Sequence, residues 1–158
     1  LAEAKSPWTD FTTGTYRRLI GETNAAVAAK KVQRLILCSG KVYFDLLKAR
    51  DEAAELSTAI VRLEQLYPLP DVELKETLAS YKGAKEVLWV QEEPRNGGAW
   101  RFLIEPLMEL VETMPSRPKL RYVGRPESAS PATGFPQTHA YEQKLLVDEA
   151  ILRGSHVR

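Results

Sequence analysis

Short apolar runs and helical apolar stripes alternate along this chain from Val32 onward. Arg34-Leu35-Ile36-Leu37-Cys38 is one continuous run, closed by Ser39-Gly40. Val42, Leu46 and Ala49, with Leu47 and Ala53 beside them, then recur at helical spacing and predict a helix over 41–56. Ala59-Ile60-Val61-Arg62-Leu63 predicts a second strand, and Pro68 and Pro70 end that passage. Asp71 is placed to cap the next helix, where Leu74, Leu78 and Tyr81 share a face. Val87-Leu88-Trp89-Val90 predicts a third strand that stops at Gln91-Glu92-Glu93. Pro94 and Gly97-Gly98 predict a loop there. Trp100, Leu103, Ile104, Leu107, Met108 and Val111 then form the clearest helical face in the chain. Leu120-Arg121-Tyr122-Val123 predicts a fourth strand, and Thr138 is placed to cap a last helix carrying Tyr141, Leu145, Leu146 and Ile151.

Strands that read as continuous apolar runs are buried on both faces. Their alternation with helices predicts an α/β fold of three layers, a mostly parallel sheet with helices on both sides. Residues 1–31 show no period and read as an extended arm and linker, with Trp8, Phe11 and Tyr16 anchoring it and a flexible polar stretch over 21–31. Residues 32–152 form the α/β domain, and 153–158 read as a disordered tail.

The 158 residues suit one domain with a sizeable core. A net charge of +1 gives no electrostatic reason to expect nucleic acid or a membrane as partner. No apolar run approaches the roughly 18 residues of a membrane-spanning helix. The one cysteine, Cys38, lies in an apolar run and reads as a buried, reduced thiol of the cytoplasm or mitochondrial matrix. The chain begins at Leu1 and reads as a fragment or processed product.

Catalytic signatures are sparse. No phosphate-binding Gly-rich loop, no dinucleotide fingerprint and no nucleophile elbow occurs. One Cys and two His make a transition-metal site improbable on composition. Ser39-Gly40-Lys41, at a strand end, reads as an anion site or as plain capping. Glu92 and Glu93 read as a general-base pair or as an interface pair. Two adjacent carboxylates need compensation, which Arg95, Arg101 or a partner could supply. Residues 124–134, with Arg125, Ser128 and Ser130, read as a linker or as a docking and anion-binding loop. His139 reads as a surface or interface histidine. The candidate interface or effector residues are therefore Ser39, Lys41, Gln91, Glu92, Glu93, Asn96, Trp100, Arg125, Ser128, Ser130 and His139. A stand-alone nucleotide or acyl-coenzyme A module, using Ser39, Lys41 and Arg125, is the competing reading.

Four ordered segments carry a family resemblance: 37–43, 60–68, Trp89-Val90-Gln91-Glu92-Glu93-Pro94 with Asn96 and Gly98-Ala99-Trp100, and 121–125 with 128–134. Together they resemble the carboxyl-terminal region of the thiamine-dependent decarboxylating component of the 2-oxoglutarate dehydrogenase complex. The relative acting on 2-oxoadipate is the nearest competitor. The resemblance implies a transketolase-like carboxyl-terminal domain with about five strands, often including one antiparallel edge strand. It implies a homodimeric oxidoreductase of the citric acid cycle that decarboxylates 2-oxoglutarate and passes the succinyl group to a lipoyl acyltransferase. Thiamine diphosphate and Mg²⁺ would sit between upstream domains. The family's Gly-Asp-Gly motif for that cofactor is absent, because the chain has no Gly-Asp pair. No catalytic, cofactor or metal residue is carried over, and this chain alone is expected to be inactive.

Overall fold

In the computed structural model, residues 4–152 are described. The expectation for the 153–158 tail lies outside the described residues. A short helix α1 (Thr9–Thr12) and an edge strand β1 (Leu19–Ile20) precede the regular alternation. The alternation runs β2 (Arg34–Cys38), α2 (Val42–Glu52), β3 (Thr58–Leu63), α3 (Asp71–Ser80), β4 (Glu86–Pro94), α4 (Trp100–Glu112), β5 (Lys119–Arg125) and α5 (Pro136–Ile151). The five strands form one sheet in the order β1-β3-β2-β4-β5. β1 runs antiparallel to β3, and every other pairing is parallel.

The sheet divides the core in two. Leu35, Leu37, Val87 and Trp89 point to one face, where Leu74 and Leu78 of α3 and Trp100, Leu103 and Leu107 of α4 cover them. Ile36, Cys38, Leu88 and Val90 point to the other, against Val42 and Leu46 of α2 and Leu146 and Ala150 of α5. Strand side chains alternate between faces, and both faces are covered, so the central stretches Leu35–Cys38, Ala59–Val61 and Val87–Val90 are continuous apolar runs. The three-layer α/β expectation holds.

Cys38 is buried and free, as its run predicts. Burial pushes its pKa from the ordinary 9.0 up to about 12. The thiol therefore stabilises the fold fully below about pH 9, and that contribution is lost as pH rises through about 12, because the unfolded thiol ionises first. We expect Ellman's reagent to titrate no thiol at neutral pH until denaturant is added. Rapid reaction of the folded chain would contradict the burial.

Several local expectations change. β4 does not stop at Val90 but continues through Gln91, Glu92 and Glu93 to Pro94. Gln91 is buried there, with all its amide atoms bonded internally, which keeps the strand going past its apolar run. Lys41 occupies the N-cap of α2, and no side chain caps that helix, so Ser39 is not its cap. Asp71 is the first residue of α3, where its charge favours the helix dipole without capping. α5 starts at Pro136, whose fixed φ suits a first turn, so Thr138 lies inside the helix. Within 1–31, β1 pairs with β3, Val27 is buried and the Glu22 side chain, 8% exposed, pairs with Arg50, so the otherwise largely exposed 21–31 stretch is tied down at these two residues. Trp8 and Phe11 anchor nothing here: both rings are exposed. Tyr16 is exposed as well, although its hydroxyl donates to the Glu64 carbonyl at 2.6 Å.

Candidate functional site at the sheet's carboxyl edge

β2 and β4 are neighbours, but the chain leaves them toward opposite faces, to α2 and to α4. Their loops therefore diverge, and a crevice opens outside the strand ends, as at the ligand-binding switch point of other open α/β sheets. A cavity of about 450 Å³ lies there, lined by Ser39 and Gly40 after β2, Gln91 and Glu93 of β4, and Gly98 and Phe102 beyond it.

Gln91 organises this edge. Its Oε1 accepts from Trp89 Nε1 at 2.8 Å and from the Trp100 backbone N–H at 3.0 Å. Its Nε2 donates to the carbonyls of Gly97 at 2.9 Å and Pro94 at 3.1 Å. One side chain thus ties strand, loop and helix start together. It also supplies a bond to one of the unpaired N–H groups of the first turn of α4. Trp100 is buried and packs against the Tyr122 ring at 5.4 Å. The Tyr122 hydroxyl lies 2.9 Å from the Arg125 carbonyl and 3.0 Å from the Glu93 carbonyl, with one proton to share between these two acceptors, and burial pushes its pKa up to about 12.

The two carboxylates part company. Glu92 pairs with Lys41 Nζ at 3.0 Å, and Lys41 also reaches Asp45 at 3.3 Å. Partial burial works against the Lys41 ammonium, but Glu92 and Asp45 outweigh it and raise its pKa above 10.5. Glu93 is exposed and has no ion-pair partner among the described residues. Neither arginine proposed from sequence compensates the pair. Arg101 bridges Glu127 at 3.1 Å, and Arg95 lies over the Tyr122 ring. The Lys41–Glu92 contact is legible only through the sheet, whose register sets Cys38 opposite Val90 and so brings the two strand ends side by side.

A second cluster lies beyond β5. Arg125, 7% exposed, sets Nε 3.0 Å from Glu142 and donates from Nη2 to His139 Nδ1 at 2.9 Å. That contact leaves Nδ1 without a proton in this arrangement. Thr133 donates to the same Glu142 carboxylate. Asn96 clips the two loops together, accepting from the Ser128 N–H at 3.0 Å and donating to its carbonyl at 2.9 Å. Ser130 bonds within its own loop, to Ser128 Oγ and the Ala132 carbonyl. Arg125, Ser128 and Ser130 line a cavity of about 350 Å³ that shares no residue with the one at Ser39. The candidates thus fall into two groups: Ser39, Lys41, Gln91, Glu92, Glu93 and Trp100 at the crevice, and Asn96, Arg125, Ser128, Ser130 and His139 beside it.

A family model described as 2-oxoglutarate dehydrogenase C-terminal matches residues 5–151. The chain belongs to that family. A "2-oxoglutarate dehydrogenase E1 component" of Cupriavidus necator is 42% identical over 151 residues, covering 96% of this chain and 16% of that protein. An "Oxoglutarate dehydrogenase" of Buchnera aphidicola is 42% identical over 148 residues, covering 94% of this chain and 16% of that protein. A "2-oxoglutarate dehydrogenase E1/E2 component" of Corynebacterium glutamicum is 44% identical over 150 residues, covering 94% of this chain and 12% of that protein. The chain spans 12–16% of the length of these curated relatives.

Membership raises the question of thiamine diphosphate and Mg²⁺. The described residues bring together no group of three or more His, Cys, Asp or Glu able to hold a metal ion. Glu92 and Asp45 beside the crevice already sit against Lys41, and Glu93 alone is too few ligands for a metal ion. The donor set of this domain does not fit a metal-diphosphate site. Among the described residues, no helix is long and apolar enough to cross a membrane.

Two glycines of the crevice separate backbone demand from packing demand. Both have positive φ, +73° at Gly40 and +61° at Gly98. A Cβ at Gly40 would meet nothing within 4 Å, whereas one at Gly98 would lie 2.8 Å from Gln91 Nε2. Gly40→Ala is expected to cost about 1–2 kcal/mol from backbone strain alone. Gly98→Ala should cost more, because Gln91 must also leave its bonds. Equal losses in paired urea titrations would show that the Gln91 node is not holding the corner.

Proposed function

We propose that this chain is the non-catalytic carboxyl-terminal domain of a 2-oxoglutarate dehydrogenase decarboxylating component. Its role is to present a rigid docking face to the upstream thiamine-binding domains and to the homodimer partner. In this reading the longer enzyme oxidatively decarboxylates 2-oxoglutarate with thiamine diphosphate and Mg²⁺ bound upstream. It passes the succinyl group to a lipoyl acyltransferase, in the bacterial cytoplasm or the mitochondrial matrix. The observation that carries the reading is the Gln91 node. A side chain with its amide fully engaged by Trp89, Trp100, Pro94 and Gly97 cannot bind or activate a substrate, but it fixes the corner that a neighbour would meet. The Glu93 carboxylate, exposed and without an ion-pair partner among the described residues, is placed on that corner to meet a cation across an interface.

A phosphate site built jointly from Ser39, Lys41 and Arg125 has less support. Ser39 and Arg125 line separate cavities, and carboxylates already face Lys41 and Arg125. The test is turnover of 2-oxoglutarate by the pure chain with thiamine diphosphate, Mg²⁺ and an artificial electron acceptor. No activity above the protein-free control is expected, and measurable turnover would sink the proposal.

A further inference from the structure

The charges beside the crevice between β2 and β4 do not cancel. Lys41 faces two carboxylates, Glu92 at 3.0 Å and Asp45 at 3.3 Å. Arg62, on the neighbouring strand β3, holds Glu64 at 2.8 Å. Arg95, two residues beyond Glu93, stands over the Tyr122 ring and lines other cavities. Glu93 lines the crevice itself, and its carboxylate has no cation among the described residues. This edge thus sets one lysine against three carboxylates, and the unpaired one belongs to the crevice.

The rest of the lining is mostly apolar. Leu66, Trp89, Ala99 and Phe102 wall the cavity of about 450 Å³, a volume with room for one long side chain. Phe102 belongs to α4 yet is 50% exposed, and its ring meets that of Tyr67, 80% exposed, at 6.2 Å. The Ser39 hydroxyl lines the same cavity and has no hydrogen-bond partner among the described residues. Next to it, Gly40 leaves open space, since a Cβ there would meet nothing within 4 Å. An unpaired carboxylate, an unused hydroxyl and exposed ring faces suit a cation with a flat, weakly hydrated body.

We infer that the crevice is a socket for an arginine side chain of a neighbouring polypeptide. The inference rests on the reading of this corner as a docking face, and it names what the face receives. The guanidinium pairs with the Glu93 carboxylate, stacks on Phe102 and donates a remaining N–H to Ser39 Oγ. Arginine is favoured over lysine because its planar fork makes all three contacts at once, whereas an ammonium is a compact, strongly hydrated charge. An acidic side chain would meet Glu93 with like charge.

Titration of the isotope-labelled full chain with N-acetyl-arginine methylamide, followed by amide chemical shifts, tests this. Saturable shifts are expected at 39–40, 66–67, 93 and 98–102, with a Kd of about 1–10 mM, as suits a single side chain. The citrulline counterpart keeps the shape without the charge and should bind at least about tenfold more weakly, with the lysine counterpart between them. Glu93→Gln should remove the difference between arginine and citrulline, and Phe102→Ala should weaken the arginine probe about threefold. Glu93 bonds within the fold only through its carbonyl, and unchanged far-ultraviolet dichroism confirms folding of both variants. Indifference to Glu93→Gln, lysine binding as tightly as arginine, or no saturation below about 50 mM overturns the inference. So does tighter binding of free arginine than of the capped residue, since the occupant would then be a metabolite. Shifts confined to the crevice but equal for arginine and citrulline would keep the docking face and reject its cation. Turnover by the pure chain would instead reject the non-catalytic reading.

Discussion

Trp100→Ala is expected to destabilise the chain by about 3–5 kcal/mol, the range for truncating a buried aromatic in a packed core. Trp100 begins α4 and is buried on the face shared with Leu103 and Leu107. The substitution removes its contact with the Tyr122 ring and leaves a void against β4 and β5. The backbone bond from residue 100 to Gln91 Oε1 survives, because it uses the main chain. The loss should therefore read as a packing defect, with urea midpoint lowered and the denaturant slope unchanged. Trp100→Phe should recover more than half of it, since it restores a ring against Tyr122. A change within about 0.5 kcal/mol for Trp100→Ala would mean that α4 does not seat on the sheet as described, because only exposed sites tolerate such a truncation.

This residue also shows why much of the fold was legible in the sequence. Trp100, Leu103, Leu107 and Val111 declare their buried face by spacing alone, and all four are buried. The central strands are equally plain, because burial on both sides favours a continuous apolar run; Arg34–Cys38 coincides with its predicted span. What spacing cannot reveal is polar burial. Gln91 looks like the end of a strand because it is polar, yet it continues the strand because its amide is satisfied by groups at residues 89, 94, 97 and 100. The Lys41–Glu92 pair depends on strand order and register, which no local pattern encodes. Asn96 and Ser128 are joined across the ends of two strands in the same way. The candidate residues were visible as residue types at strand ends, and their division into two separate clusters was not.

Glu22→Ala is expected to cost about 3–5 kcal/mol, as when one member of a buried ion pair is removed. Periodicity gave no hint of this pair, whose members come from the irregular stretch before β2 and from α2. Glu22 Oε2 accepts from Arg50 Nη1 at 2.5 Å and from the Ile60 backbone N–H at 2.8 Å, and its Oε1 accepts from the Asn24 N–H at 2.7 Å. The side chains are 1% exposed at Arg50 and 8% at Glu22. Removing the carboxylate leaves a buried guanidinium whose remaining counter-ion, Asp51, is half exposed at 53%. The same carboxylate joins the segment before β2 to β3 and α2, so its loss should loosen residues 19–24 as well as the pair. Replacing both partners tests the cause. If uncompensated charge dominates, Glu22→Ala with Arg50→Leu should be more stable than Glu22→Ala alone, and a double-mutant cycle should give a coupling of about 1–3 kcal/mol. If the double variant is no more stable than the single one, the lost bonds to Ile60 and Asn24 carry the effect, and the ion pair contributes little.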